Sequence, residues 1–136
     1  EIKCCLDAIS KFDIPIWVSF VLKDSKKILS GESLKDAVQI LRKYKVNCIL
    51  LNCNPLDRTS DAMEILINNW DKNWGIYPNL GIGEPSPDGV IDKTYSDNKF
   101  INIIDKSIRL GVDLLGACCG SNINHIKLIA RYINKL

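Results

Sequence analysis

The chain has 136 residues and is 46% hydrophobic, which is one domain's worth of sequence with enough apolar material for a packed core and excludes a disordered chain. Eighteen basic and 16 acidic residues leave a formal net charge of +2. They are spread without a block of like charge, so neither nucleic acid nor an anionic membrane is indicated as a partner. No apolar run reaches the about 18 residues of a membrane span and no basic-then-apolar leader is present, which points to the cytoplasm; a leader on a longer parent would lie outside this sequence. Of the six cysteines, four stand in vicinal pairs, unlike a small disulfide scaffold, so reduced thiols are expected.

Residues 1–12 place Ile2, Cys5, Leu6 and Ile9 on one helical stripe, which makes Cys5 a core residue and Cys4 a partly buried free thiol. Asp13 and Pro15 close that helix. A strand follows over 14–22, apolar on both faces as in a parallel sheet covered by helices. Ser30-Gly31-Glu32-Ser33 is a turn, and Ser33 with Asp36 caps a helix carrying Leu34, Ala37, Val38 and Leu41. A second strand over 46–51 ends in Asn52-Cys53-Asn54-Pro55, where proline is expected to stop the ladder. The next helix is expected from Ser60, with Met63, Leu66, Ile67 and Trp70 at helical spacing.

A short strand over 75–81, broken by Pro78, leads into the glycine- and proline-rich loop 82–95, a length that in compact domains tends to be functional. Ser96 caps a helix carrying Phe100, Ile103, Ile104 and Ile108, with Gly111 as its stop. A last strand over 112–117 delivers Cys118 and Cys119, and Asn122 caps the final helix. Alternation of this kind predicts parallel strands joined by right-handed crossovers. The expected fold class is α/β of the (β/α)8 TIM-barrel type. Four strand-helix units are about half of a barrel whose usual length is about 250 residues.

Adjacent cysteines between glycines read as metal ligands. Neighbouring side chains in a regular strand point to opposite faces, so Cys118 and Cys119 can share one ion only where the strand has ended, and Gly120 permits that break. A vicinal disulfide would be strained, because adjacent Cα atoms lie about 3.8 Å apart. Zinc wants at least three protein ligands, and the best third candidate is Cys53 at another strand end. Cys48, an odd number of residues earlier, reads as packing. Asn79, at a third strand end, is a candidate substrate-pocket residue, with a turn role as the plain alternative. His125 reads as a capping or surface residue. Gly81-Ile82-Gly83 is only weak evidence for a phosphate site.

Asn52-Cys53, Tyr77-Pro78-Asn79 and Gly116-Ala117-Cys118-Cys119-Gly120 followed by His125-Ile126 resemble, in order and separation, the homocysteine S-methyltransferase family. Trp17-Val18-Ser19-Phe20 and Ser30-Gly31-Glu32 look like its cobalamin-independent members. The resemblance covers nearly the whole chain but implies only the C-terminal half of a homocysteine-binding barrel. Two departures are Ala117, where the family usually has a second glycine, and Ile123, where proline is common. The first is expected to add a methyl group beside the metal. The resemblance implies Zn2+ held by Cys53, Cys118 and Cys119, with homocysteine and a small-molecule methyl donor as substrates. S-methylmethionine or S-adenosylmethionine is preferred over betaine or methylfolate as donor. It further implies a missing N-terminal half-barrel, or self-association in its place. A non-catalytic zinc-binding domain, or a subunit completing a partner's barrel, is the alternative.

Overall fold

The computed structural model describes residues 1–83, 87–91 and 93–134. Along the chain come α1 (Ile2–Ile9), β1 (Ile16–Phe20), α2 (Leu34–Leu41), β2 (Val46–Pro55), α3 (Leu56–Ile67), β3 (Asn73–Asn79), α4 (Asp97–Arg109), β4 (Leu114–Leu115) and α5 (Ile123–Ile133). The strands form one sheet in the order β1-β2-β3-β4, with every pairing parallel. A doubly wound sheet would reverse its strand order at a switch point, whereas a barrel advances one strand at a time. This sheet advances without reversal.

Three of the expected helix starts carry the caps read from sequence. Ser33 accepts from the Asp36 N–H, Ser96 from the Lys99 N–H and Asn122 from the Asn124 N–H. Gly111, at φ +78°, follows the last turn of α4 as a glycine stop should. Other boundaries moved. Pro55 does not end β2 but pairs with Asn79, and α3 begins at once at Leu56 rather than at Ser60. β3 runs unbroken through Pro78. β4 is only Leu114–Leu115, although hydrogen bonds from Asp113 N to Trp74 O, Gly116 N to Ile76 O and Cys118 N to Pro78 O hold the chain beside β3 well beyond those two residues. In α1 the buried residue is Leu6, with Ile2 and Ile9 partly buried around it. Cys4 and Cys5 are both exposed, because the stripe that meets the core runs through 2, 6 and 9 and leaves Cys5 on its flank. Residues 84–86 and 92 of the loop expected over 82–95 lie outside the described residues.

One row of strand residues faces the helices. Val18, Phe20, Ile49, Leu51 and Ile76 join Leu34, Val38, Leu41, Leu66 and Phe100 in a single apolar core. Cys48 and Leu50 are as buried as these but belong to the opposite row, in register with Trp17 and Ser19 of β1. Among the described residues no helix is long and apolar enough to cross a membrane.

On that opposite row Gly75 is paired with Leu114, and a Cβ there would stand 2.6 Å from the Leu114 carbonyl oxygen and 2.8 Å from Leu50 Cδ2. Backbone cannot yield as a side-chain tip can. Gly75→Ala is therefore expected to destabilise the fold by about 1–3 kcal/mol through overpacking between β3 and β4, measured as a lower urea midpoint with an unchanged denaturant slope.

Candidate metal centre

Cys53, Cys118 and Cys119 converge where β2 ends and where the chain leaves β4. Their sulfurs all lie within 4.8 Å of one another, with Cys53 Sγ 3.5 Å from Cys119 Sγ and Cys118 Sγ 3.8 Å from Cys119 Sγ. These separations are too long for a disulfide, and all six cysteines are free thiols. A tetrahedral ion with metal–sulfur bonds of about 2.3 Å sets its sulfurs about 3.8 Å apart. The donor set and spacing thus fit a thiolate-binding metal, and this group could hold one.

Cys53 reaches the cluster through a break in β2. In a regular strand, residue 53 would continue the row of Ile49 and Leu51 and point into the helix layer. Asn52 pairs with Tyr77 and Pro55 with Asn79, so three steps along β2 match two along β3. That is a bulge of one residue. Within it Cys53 has φ +58°, the only positive φ outside glycine among the described residues. The left-handed conformation costs a non-glycine residue on the order of 1 kcal/mol and turns the thiol away from the helix layer.

Asn54 holds the bulge. Its side chain is fully buried, with Oδ1 accepting from the Leu22 N–H at 2.6 Å and Nδ2 donating to the Phe20 carbonyl at 3.1 Å. Thr59, on the first turn of α3, donates its hydroxyl to the Asn54 and Pro55 carbonyls. The residue beside Cys53 thus stitches β2 to the end of β1. Sequence reasoning passed over Asn54 as part of a strand-ending turn. The signal was an Asn between Cys and Pro, a residue type that competes for backbone hydrogen bonds.

Cys118 and Cys119 are fixed from the other side. The Cys118 N–H donates to Pro78 O, the Cys119 carbonyl accepts from Leu80 N, and the Ser121 hydroxyl donates back to the Cys118 carbonyl. Gly120, at φ +73°, makes the turn there, and a Cβ on it would come within 2.9 Å of the Gly81 backbone nitrogen. Gly116 is equally constrained, since a Cβ would meet the Tyr77 ring at 2.2 Å. Ala117, expected beside the metal, packs its methyl against the apolar core.

Burial pushes the Cys53 thiol up to about 12, and the adjoining Cys118 and Cys119 sulfurs add to the shift. Three neighbouring thiols resist becoming three neighbouring thiolates unless a cation joins them, which reverses the local charge balance. Cys48 sits 2% exposed on β2, its thiol also raised by burial, as expected of a packing residue. Asn79 ends β3 with Oδ1 accepting from the Gly81 N–H at 2.7 Å, the turn role its plain reading gave it. Its amide nitrogen makes no hydrogen bond to the described residues. His125 is a cap, but a buried one rather than a surface residue. The Gly81-Ile82-Gly83 segment pairs with the far arm of its own loop, Gly81 with Thr94 and the Ile82 N–H with the Lys93 carbonyl.

A family model described as homocysteine S-methyltransferase matches residues 1–133. Homocysteine S-methyltransferase 2 of Zea mays is 34% identical over 127 residues, which are 90% of this chain and 37% of the maize protein. A selenocysteine Se-methyltransferase of Brassica oleracea var. italica is 30% identical over 119 residues, 85% of this chain and 34% of that protein. The chain therefore spans well under half the length of these relatives. Among solved structures, the apo form of the homocysteine methyltransferase MmuM from Escherichia coli superposes with a TM-score of 0.73 at 24% identity, over 96% of this chain and 43% of that one. Its metallated form gives 0.70 at 24% identity, over 93% and 40%. The likeness assigns the chain to the α/β class of the (β/α)8-barrel type.

The bulge should depend on its buried amide. Asn54→Ala would leave the Leu22 N–H and the Phe20 carbonyl buried without partners, and each such group costs about 1–3 kcal/mol. The expected loss, on the order of 3 kcal/mol, is read by urea denaturation; a loss within about 0.5 kcal/mol, as at an ordinary surface site, would show that the bulge holds by other means.

Proposed function

This chain belongs to the homocysteine S-methyltransferase family, and from that premise we propose that it is the C-terminal half of a homocysteine-binding barrel that transfers a methyl group to the thiol of homocysteine, giving methionine. The observation that carries the reading is the convergence of Cys53, Cys118 and Cys119, three sulfurs brought together from two separate strand ends. Zinc is the proposed ion, because a soft all-thiolate set favours it over magnesium or calcium, and three protein donors are the number found in catalytic rather than structural sites. When bound, zinc supplies the positive charge that keeps a substrate thiol ionised at neutral pH. Free thiols that must stay reduced suit the cytoplasm.

In the reaction the homocysteine sulfur forms a bond to the methyl carbon while the donor's bond to that carbon breaks, its electron pair staying on the donor and the thiol proton leaving to solvent. A sulfonium donor such as S-methylmethionine or S-adenosylmethionine becomes neutral on losing its methyl group and is the preferred donor class. A thiol of pKa about 8.5 is roughly 3% ionised at pH 7, so full ionisation gains about 30-fold, or about 2 kcal/mol. Lowering a thiol's pKa also lowers its nucleophilicity, with a slope of about 0.4–0.5. Most of the acceleration must come from alignment. The bulge at Cys53 and the clamps on Cys118 and Cys119 support that role, since both fix where a ligated sulfur can sit. Asn79, next to these clamps and with an amide N–H unpaired among the described residues, is the proposed substrate-side residue of this half.

Cys53→Ser should abolish zinc binding and methyl transfer together, because a hydroxyl is a poor substitute in a soft thiolate set. Cys48→Ala, on the same strand, should keep both and lose about 1 kcal/mol of stability for its small cavity. Zinc content and methionine formation are measured on the protein containing this chain, with S-methylmethionine, S-adenosylmethionine, betaine and methylfolate as donors. Stoichiometric zinc without methionine from any donor would replace the enzyme with a non-catalytic zinc-binding domain.

A further inference from the structure

His125 is the only histidine of the chain, and the metal chemistry above makes no use of it. It is 7% exposed at the start of α5, with its ring edge-to-face on fully buried Phe100 at a centroid distance of 5.5 Å. Its Nδ1 accepts from the Asn122 N–H at 3.0 Å, and the Asn122 side chain caps the same first turn, so the two residues close a reciprocal capping box. An accepting Nδ1 places the ring proton on Nε2, which lies 3.5 Å from Asp97 Oδ1 on the first turn of α4. The imidazole is thereby held from three sides. The peptide it holds is one residue beyond Ser121, whose N–H and hydroxyl both donate to the Cys118 carbonyl.

We propose that His125 is a positioning residue for the metal centre: it fixes the Asn122 N–H, and through the turn at 120–122 it sets the directions of Cys118 and Cys119. The β3 end clamps these cysteines only from their N-terminal side and through the Cys119 carbonyl. Past Gly120, at φ +73°, the turn's restraint comes from Ser121 and from the cap that His125 completes. Two adjacent side chains can share one ion only if the backbone between and after them is held in a single non-strand conformation. A loose turn would spread the sulfurs over several arrangements and reduce the fraction competent to bind.

This role rests on the proposed metal centre, and the test separates the two. Affinities of the metal-free protein for zinc and cobalt(II) are measured by competition with a chromophoric chelator, together with the thiolate-to-cobalt charge-transfer band and the thermal midpoint. His125→Leu is expected to weaken binding about 10–100-fold, the range typical when a group that orients metal ligands is removed, and to shift the cobalt band. His125→Gln, whose amide oxygen can accept the same N–H in a capping box, should restore most of the affinity. A His125→Leu protein with wild-type affinity and band, and only a lower midpoint, would overturn the positioning role and leave the centre standing. A wild-type protein that takes up neither metal would overturn the centre and this role with it. Should His125→Leu not fold, His125→Asn, too short to reach the Asn122 N–H, takes its place, and wild-type affinity in that variant would equally refute the role.

Discussion

The cluster depends on one departure from strand geometry. A regular β2 would aim residue 53 into the helix layer, in line with Ile49 and Leu51 and away from Cys118 and Cys119. The bulge, the left-handed Cys53 and the buried Asn54 amide are three aspects of one local structure. The strained backbone is offset by hydrogen bonds that Asn54 makes to groups left without strand partners at the end of β1. Removing the amide would therefore release strain and orphan one donor, the Leu22 N–H, and one acceptor, the Phe20 carbonyl, at once, which couples stability of the β1–β2 edge to the direction of one thiol.

The periodic parts of this architecture were legible from residues alone. The helix caps at Ser33, Ser96 and Asn122, the glycine stop at 111 and the buried run of β2 follow from patterns spanning only a few positions, whereas β1, read as covered on both faces, buries Ile16, Val18 and Phe20 and leaves Trp17 54% exposed. The convergence of the cysteines was legible because Cys118 and Cys119 are adjacent thiols between glycines and Cys53 stands at another strand end. The bulge was not. A proline two residues after Cys53 normally signals the end of a ladder, whereas here the extra residue shifts the register so that Pro55 is accommodated opposite Asn79. Cys5 was misplaced for a related reason: helical spacing assigns a face but does not say how wide a strip of that face the core covers. The buried state of His125 was hidden because its partners, Phe100 and Asp97, lie on a different helix.

β3 is the frame against which both halves of the cluster are measured. Cys53 and Cys119 are 66 positions apart in the chain, yet each segment is hydrogen-bonded to the same short strand. On one side β2 follows β3 as far as Pro55 against Asn79; on the other, the Cys118 N–H meets the Pro78 carbonyl and the Leu80 N–H meets the Cys119 carbonyl. Proline at 78 keeps its place in this frame through its carbonyl, which accepts from the Cys118 N–H. Small residues on the same strand and its neighbour do complementary work. Gly75 leaves room for Leu114 and Leu50, and Gly116 leaves room for the Tyr77 ring. Were either side chain larger, the segment carrying Cys118 and Cys119 would stand off from β3. The sulfur spacings of 3.5 Å and 3.8 Å to Cys119 would then be lost without any cysteine being touched. The convergence of the three sulfurs thus rests on backbone contacts of β3 as well as on the cysteines themselves.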